Sequence, residues 1–218
     1  MIQGIKQFFW KTSDFLRIPQ DKKKTINLIA SQDARVYEVF NHPIGTFVRE
    51  LDHIKELDLI VPGFQFNLPR IPGILLGMTI SFFRAYCEEG ENEVMVEIYW
   101  DKLQEQYHIY VPKQIVSKNS IISESEIRDH DNLLLVMHIH SHNTMPAYFS
   151  AVDNRDEVAY MLYGVIGSLN TTEPDLLFRV GKGGIFYNLP AHYVFENVDV
   201  NSVVAYPKEW HQQVELLT

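Results

Sequence analysis

The sequence predicts an α/β or α+β fold in which a mixed β-sheet is flanked by helices. Three observations point there. Residues 73–89, GILLGMTISFFRAYCEE, repeat apolar side chains at helical spacing. Residues 133–140, LLLVMHIH, form a near-continuous apolar run, as expected of a strand covered on both faces. Elsewhere strand-like and helix-like runs alternate irregularly, with hairpins among them.

The elements follow in order. Residues 1–70 read as an N-terminal extension of open role. In it KKTINLIA and RVYEVF look like short strands, and Phe47 to Leu57 a helical turn or two. Pro62-Gly63, Pro69 and Pro72-Gly73 break the pattern and place the expected boundary near residue 70. In the helix, Leu75, Met78, Ile80, Phe82, Phe83 and Tyr86 cover one side; Pro72 suits its start and Gly90 its exit. EVMVEIYW and QYHIYVP are strands joined through DKLQE, the second ending at Val111 because Pro112 has no N–H to donate. LLLVMHIH follows Asp131-Asn132. DNRDEVAYML, residues 153–162, reads as a short helix, and LYGVIGSL, DLLFRVG and GGIFYNL as strands. The expected catalytic domain is 71–195, with 196–218 as a C-terminal tail.

Composition narrows the function classes. The 218 residues suffice for one domain, or one domain with an extension. A net charge of −9 argues against nucleic acid and anionic membrane as partners, since both are bound through Lys and Arg clusters. Cys87 is the single cysteine, so the chain holds no internal disulfide and no Cys-rich zinc site. The N-terminus carries Lys6, Lys11, Asp14 and Arg17 and lacks the apolar core of a signal peptide. A cytoplasmic, soluble protein is the expectation.

The chemistry concentrates in HIHSHNTMPAYFSAVD, residues 138–153. Side chains alternate on a strand, so His138, His140 and His142 share a face if the strand persists that far. Two imidazoles at i and i+2 can converge on one ion, and an aspartate from a following turn can add a third ligand while leaving a position for water. Taken alone, an HxH pair is a weak signal, and Ser150-x-x-Asp153 also reads as a helix N-cap with an acid in the first turn. The two readings of Ser150 and Asp153 are compatible.

The full spacing, H-S-H-x7-S-x2-D from His140 to Asp153, resembles the motif of the JAMM/MPN family of zinc metalloproteases and isopeptidases. MPAYFSAVDNRDE and LYGVIG are similar to its bacterial branch, and in particular to the JAB-type proteins of PRTRC gene cassettes. The resemblance covers about residues 74–190. It implies a JAB/MPN-like domain, related in fold to cytidine deaminases. It implies one zinc ion per chain held by His140, His142 and Asp153, and cleavage of a peptide or isopeptide bond by zinc-activated water. Ser150 would donate to the developing oxyanion. The family pattern adds an upstream glutamate as general base; among Glu88, Glu89, Glu91, Glu93 and Glu97 the position after the helix favours Glu93, with Glu97 next. His138 is expected to support the ligands, and Ser141 to point to the strand's other side. The resemblance implies a peptide or protein substrate and admits a ubiquitin-like one; oligomeric state is left open.

Two other functions compete. One is a non-catalytic MPN-type scaffold, and the other a zinc hydrolase of an unrelated small substrate. A nucleobase deaminase needs a P-C-x-x-C pair, which a single cysteine denies.

Overall fold

The structure is a computed structural model that describes residues 6–19, 22–24, 26–55, 57–123 and 132–217. Asp131, expected to precede the central strand, lies outside them. The chain forms two compact units, Met1–Val61 and Pro62–Thr218.

The first unit holds β1 (Lys6–Phe9), α1 (Thr12–Arg17), β2 (Ile26–Ala30), β3 (Val36–His42) and β4 (Gly45–Glu50). Its sheet runs β1-β2-β3-β4, with β1 parallel to β2 and the other pairs antiparallel. Phe9, Phe15, Ile29 and Val39 make a small core. The segment from Phe47 is a strand and not the expected helical turn. Val48 and Phe47 pair with Val39 and Phe40 across a tight hairpin. That cross-strand pairing overrides the weak local preference.

The second unit begins with α2 (Gly73–Gly90), then β5 (Met95–Asp101), β6 (Gln106–Tyr110), β7 (Gln114–Ser117), β8 (Ser120–Ser123) and β9 (Leu133–Ser141). It continues with α3 (Ala151–Asp156), β10 (Met161–Gly167), β11 (Asp175–Lys182), β12 (Ile185–Leu189), α4 (Ala191–Val194), a 3-10 turn at Lys208–Gln213, and β13 (Val214–Leu216). The main sheet runs β12-β11-β10-β9-β5-β6, and a small sheet runs β13-β7-β8. β9 is parallel to β10 and antiparallel to β5, so the sheet is mixed.

The apolar run of β9 lies in the middle of this sheet, as its composition requires. Met137 and Ile139 join Val96 and Ile98 of β5 and Leu76, Ile80 and Phe83 of α2 in one fully buried cluster. Alternation then turns Glu97, His138, Tyr163 and Arg179 to the opposite face. The strand register sets these four side by side across β5, β9, β10 and β11. The face away from the core is therefore polar where the four central strands cross it.

Several boundaries differ from expectation. The units divide after Val61, because the proline-rich stretch that follows packs with the second unit. Phe64, Phe66 and Leu68 lie against its core, and Tyr107 donates to the Pro69 carbonyl at 2.6 Å. The C-terminal segment packs there too. Trp210 is buried against Phe82, and β13 pairs with β7. Gly90 is still helical, and Glu91 takes the left-handed position at φ 55°. The Glu91 side chain is held by Lys118 and Thr144. β6 stops at Tyr110. The helix expected over 153–162 is the shorter α3, since Met161 already pairs in β10. Among the described residues, no helix is long and apolar enough to cross a membrane.

Candidate metal centre

The β9–α3–β10 connection builds the site. A parallel pair needs a crossover, and the crossover leaves the carboxyl end of β9 open next to the start of α3. β9 ends at Ser141, and His142 continues its line by donating its amide to the Ile166 carbonyl at 2.8 Å. The loop after it is stitched to β10. Leu169 donates to the Asn143 carbonyl at 2.8 Å and Ser168 to the Met145 carbonyl at 2.7 Å. Gly167 makes this close approach possible, since a Cβ there would lie 2.3 Å from the Met145 carbonyl oxygen.

His140 and His142 present Nε2 to one another at 3.3 Å, and Asp153 Oδ1 lies 3.7 Å from His140 Nε2. All three donor atoms fall within 4.8 Å of one another. Two nitrogens bonded to one zinc at about 2.0–2.1 Å and a tetrahedral angle stand about 3.3 Å apart. Burial lowers the pKa of both imidazoles, outweighing the opposing pull of Asp153. The neutral ring is the ligating form. The Pro146 carbonyl favours a proton on the His142 ring, whose Nδ1 is buried without a well-formed hydrogen bond. A proton on Nδ1 leaves Nε2 as the lone-pair nitrogen. The donor set fits a divalent ion such as zinc.

Asp153 is held by a capping box. Its amide donates to Ser150 Oγ at 3.2 Å, and its Oδ2 accepts from the Ser150 amide at 2.6 Å. Oδ1 is left to face His140. Ser150 accepts through Oγ and keeps its own O–H proton to donate. The cap and the ligand set thus use different atoms of the same two residues.

Glu93 lies two residues ahead of β5 and lines the same cleft of about 650 Å3, together with His138, Tyr148 and Tyr163. Its amide donates to the Ser117 carbonyl at 2.9 Å. Burial, with the Asp153 charge adding to it, pushes its carboxyl up to about 7. Glu97 is fully buried and already engaged. Tyr99 donates to its Oε2 at 2.8 Å, and His138 Nε2 stands 3.2 Å from its Oε1. Glu91 is tied to Lys118, and Glu88 and Glu89 are exposed. Ser141 points away from the cleft, accepting the Val94 amide at 2.9 Å.

Residues that the spacing argument did not single out complete the surroundings. The Tyr148 ring meets His142 edge-on at 4.6 Å. Arg179 of β11 is buried behind α3, bonded to Asn154 and Glu157. A charged residue inside the apolar strand DLLFRVG is the one sequence signal that marks it.

The family described as prokaryotic homologs of the JAB domain matches residues 72–180. The chain belongs to this family. The matched region runs from the start of α2 nearly to the end of β11, so it contains Glu93, His140, His142, Ser150, Asp153 and Arg179. The JAB family includes metalloproteases and isopeptidases, and the mixed α+β architecture accords with it. Among solved structures, the solution structure of a protein from Desulfitobacterium hafniense is similar at 14% identity with a TM-score of 0.42. The match covers 55% of this chain and 88% of that one. No curated protein matches the chain.

Proposed function

We propose that this JAB-family chain is a zinc-dependent hydrolase of peptide or isopeptide bonds, with His140, His142 and Asp153 holding one zinc ion. The observation that carries the reading is the 3.3 Å approach of the two Nε2 atoms, with Asp153 Oδ1 beside them. When bound, zinc supplies a Lewis acid for a carbonyl and lowers the pKa of water to about 7.

The chain's own residues do the rest. Glu93, which lines the same cleft as His140, His142 and Asp153, takes a proton from water at Oε and passes it to the leaving amine. Ser150 donates its O–H to the oxyanion that develops at the scissile carbonyl, and the capping box fixes where that donor stands. Tyr148 and Met145 line the cleft and bring an apolar wall to the substrate backbone. A ubiquitin-like protein is the substrate class that the family resemblance admits.

Elemental analysis of wild type and of His140→Ala with His142→Ala tests this reading, alongside hydrolysis of isopeptide-linked and peptide substrates. One zinc per chain, lost in the double variant, and hydrolysis abolished by Glu93→Gln with zinc retained are the expected results. No zinc uptake by wild type would overturn the reading and leave a scaffold.

A further inference from the structure

The proposed ligand set has one weakly anchored member. His140 and His142 are fixed by the backbone ladder of the central sheet. Asp153 sits on α3, which is six residues long with none of them buried. A helix of that length has no stability of its own in water, and no apolar face here fastens it to the sheet. The capping box sets the shape of the turn but not its position over β9.

Arg179 supplies the missing fastening. Its Nη1 donates to Asn154 Oδ1 at 2.5 Å, while Nε and Nη2 reach Glu157 Oε2 at 2.8 and 2.5 Å. Its guanidinium carbon lies 3.6 Å from the centre of the Phe149 ring and 3.8 Å from that of Phe186. Phe149 directly precedes Ser150, Asn154 directly follows Asp153, and Glu157 caps the helix. One buried cation therefore grips both flanks of the Ser150–Asp153 turn. Its own backbone is held in β11, paired with Tyr163 of β10, which pairs in turn with His138 of β9. A rigid path joins the strand that carries the histidines to the helix that carries the carboxylate.

We infer that Arg179 is a positioning residue for the metal centre: it sets the distance of Asp153 and Ser150 from His140 and His142 without touching metal or substrate. This rests on the zinc reading above. A lysine in its place keeps the charge but cannot span Asn154 and Glu157 as a planar fork. Loss of a group that orients a ligand typically weakens metal binding roughly 10- to 100-fold.

The test is zinc affinity by chelator competition, with the visible spectrum of the cobalt(II)-loaded protein as a report on the carboxylate ligand. Arg179→Lys is expected to weaken zinc roughly 10- to 100-fold and to alter the cobalt spectrum. Asn154→Ala, an exposed position that leaves no charge unpaired in the core, is expected to weaken zinc several-fold in the same direction. It keeps the inference testable if Arg179→Lys folds poorly. Tyr107→Phe is the control for general destabilisation, since Tyr107 is buried and donates to the Pro69 carbonyl, and neither residue lines the cleft; it is expected to leave zinc affinity and spectrum unchanged. Zinc bound equally tightly by wild type, Asn154→Ala and Arg179→Lys would overturn the inference and leave the zinc reading standing. No zinc on wild type would bring down that reading and the inference with it.

Discussion

The strand half of the candidate centre and its helix half are held by different forces. His140 and His142 belong to a ladder with paired strands on both sides of β9, over a core that excludes water. Ser150 and Asp153 belong to a short exposed helix held, among the described residues, by its capping box, by Arg179 and by the Gly183 amide on the Val158 carbonyl just past its end. The first half moves only if the domain unfolds. The second can shift by the loss of a few side-chain bonds. Changes in the strand half should therefore register in global stability, and changes in the helix half in metal affinity and rate.

The largest effect is expected where burial acts on a charge. Glu93 has its carboxyl raised to about 7, chiefly by burial and then by the Asp153 charge. A carboxyl whose folded pKa exceeds its unfolded value stabilises the fold fully below the unfolded value, and that stability is lost as pH rises through the folded value. The metal-free protein should thus lose up to roughly 3 kcal/mol from this group between about pH 4.5 and pH 8. The lowered pKa values of His140 and His142 act in the opposite direction over part of that range, and Glu157, also raised to about 7, acts in the same one. The difference between wild type and Glu93→Gln isolates Glu93. Urea unfolding at pH 5 and pH 8 reads it, and equal pH slopes in both proteins would show that Glu93 is not strained by its burial.

How much of this was legible in the sequence follows the same division. β9 could be read because strand alternation and an apolar run are local signals, and both survive into the fold. Ser150 and Asp153 could be read because a capping box is a four-residue pattern. Glu93 is reached only through the family resemblance, which implies a glutamate between a helix and the strand after it, since nothing local distinguishes it from Glu91 or Glu97. What separates them is tertiary. Glu97 is engaged by Tyr99 and His138, and Glu91 by Lys118. Arg179 carries one local signal, a charge inside an apolar strand, but its partners Asn154 and Glu157 come from another element and no single strand encodes them. The strand over residues 47–50 is not legible in the sequence because every residue in it is exposed, so its apolar and polar positions follow no buried face.

Ser141→Ala probes the strand half at a smaller scale. Ser141 Oγ accepts the amide of Val94, the residue just before β5, and both residues are fully buried. Alanine leaves that amide without a partner, which costs about 1–3 kcal/mol. Urea midpoints should fall accordingly. Zinc affinity, measured on the protein that is still folded, should change little, because the ladder continues to fix His140. A loss of affinity out of proportion to the loss of stability would mean that the strand half is as adjustable as the helix half.

Ser150→Ala is the smallest perturbation of the fold and the sharpest test of the contrast. It removes the cap that accepts the Asp153 amide, which costs about 1 kcal/mol or less, since α3 is exposed and the amide can turn to water. Asp153 Oδ2 still accepts from the residue-150 amide, so the carboxylate keeps part of its anchor. Zinc should stay bound with modest weakening. The rate is a separate matter, because the hydroxyl that would donate to the developing oxyanion is gone, and loss of one such donor costs roughly 100-fold or more in kcat. A near-wild-type melting temperature with zinc retained and kcat down by that factor would separate the two duties of this side chain. A rate that falls only as far as zinc occupancy falls would leave Ser150 as a helix cap and nothing more.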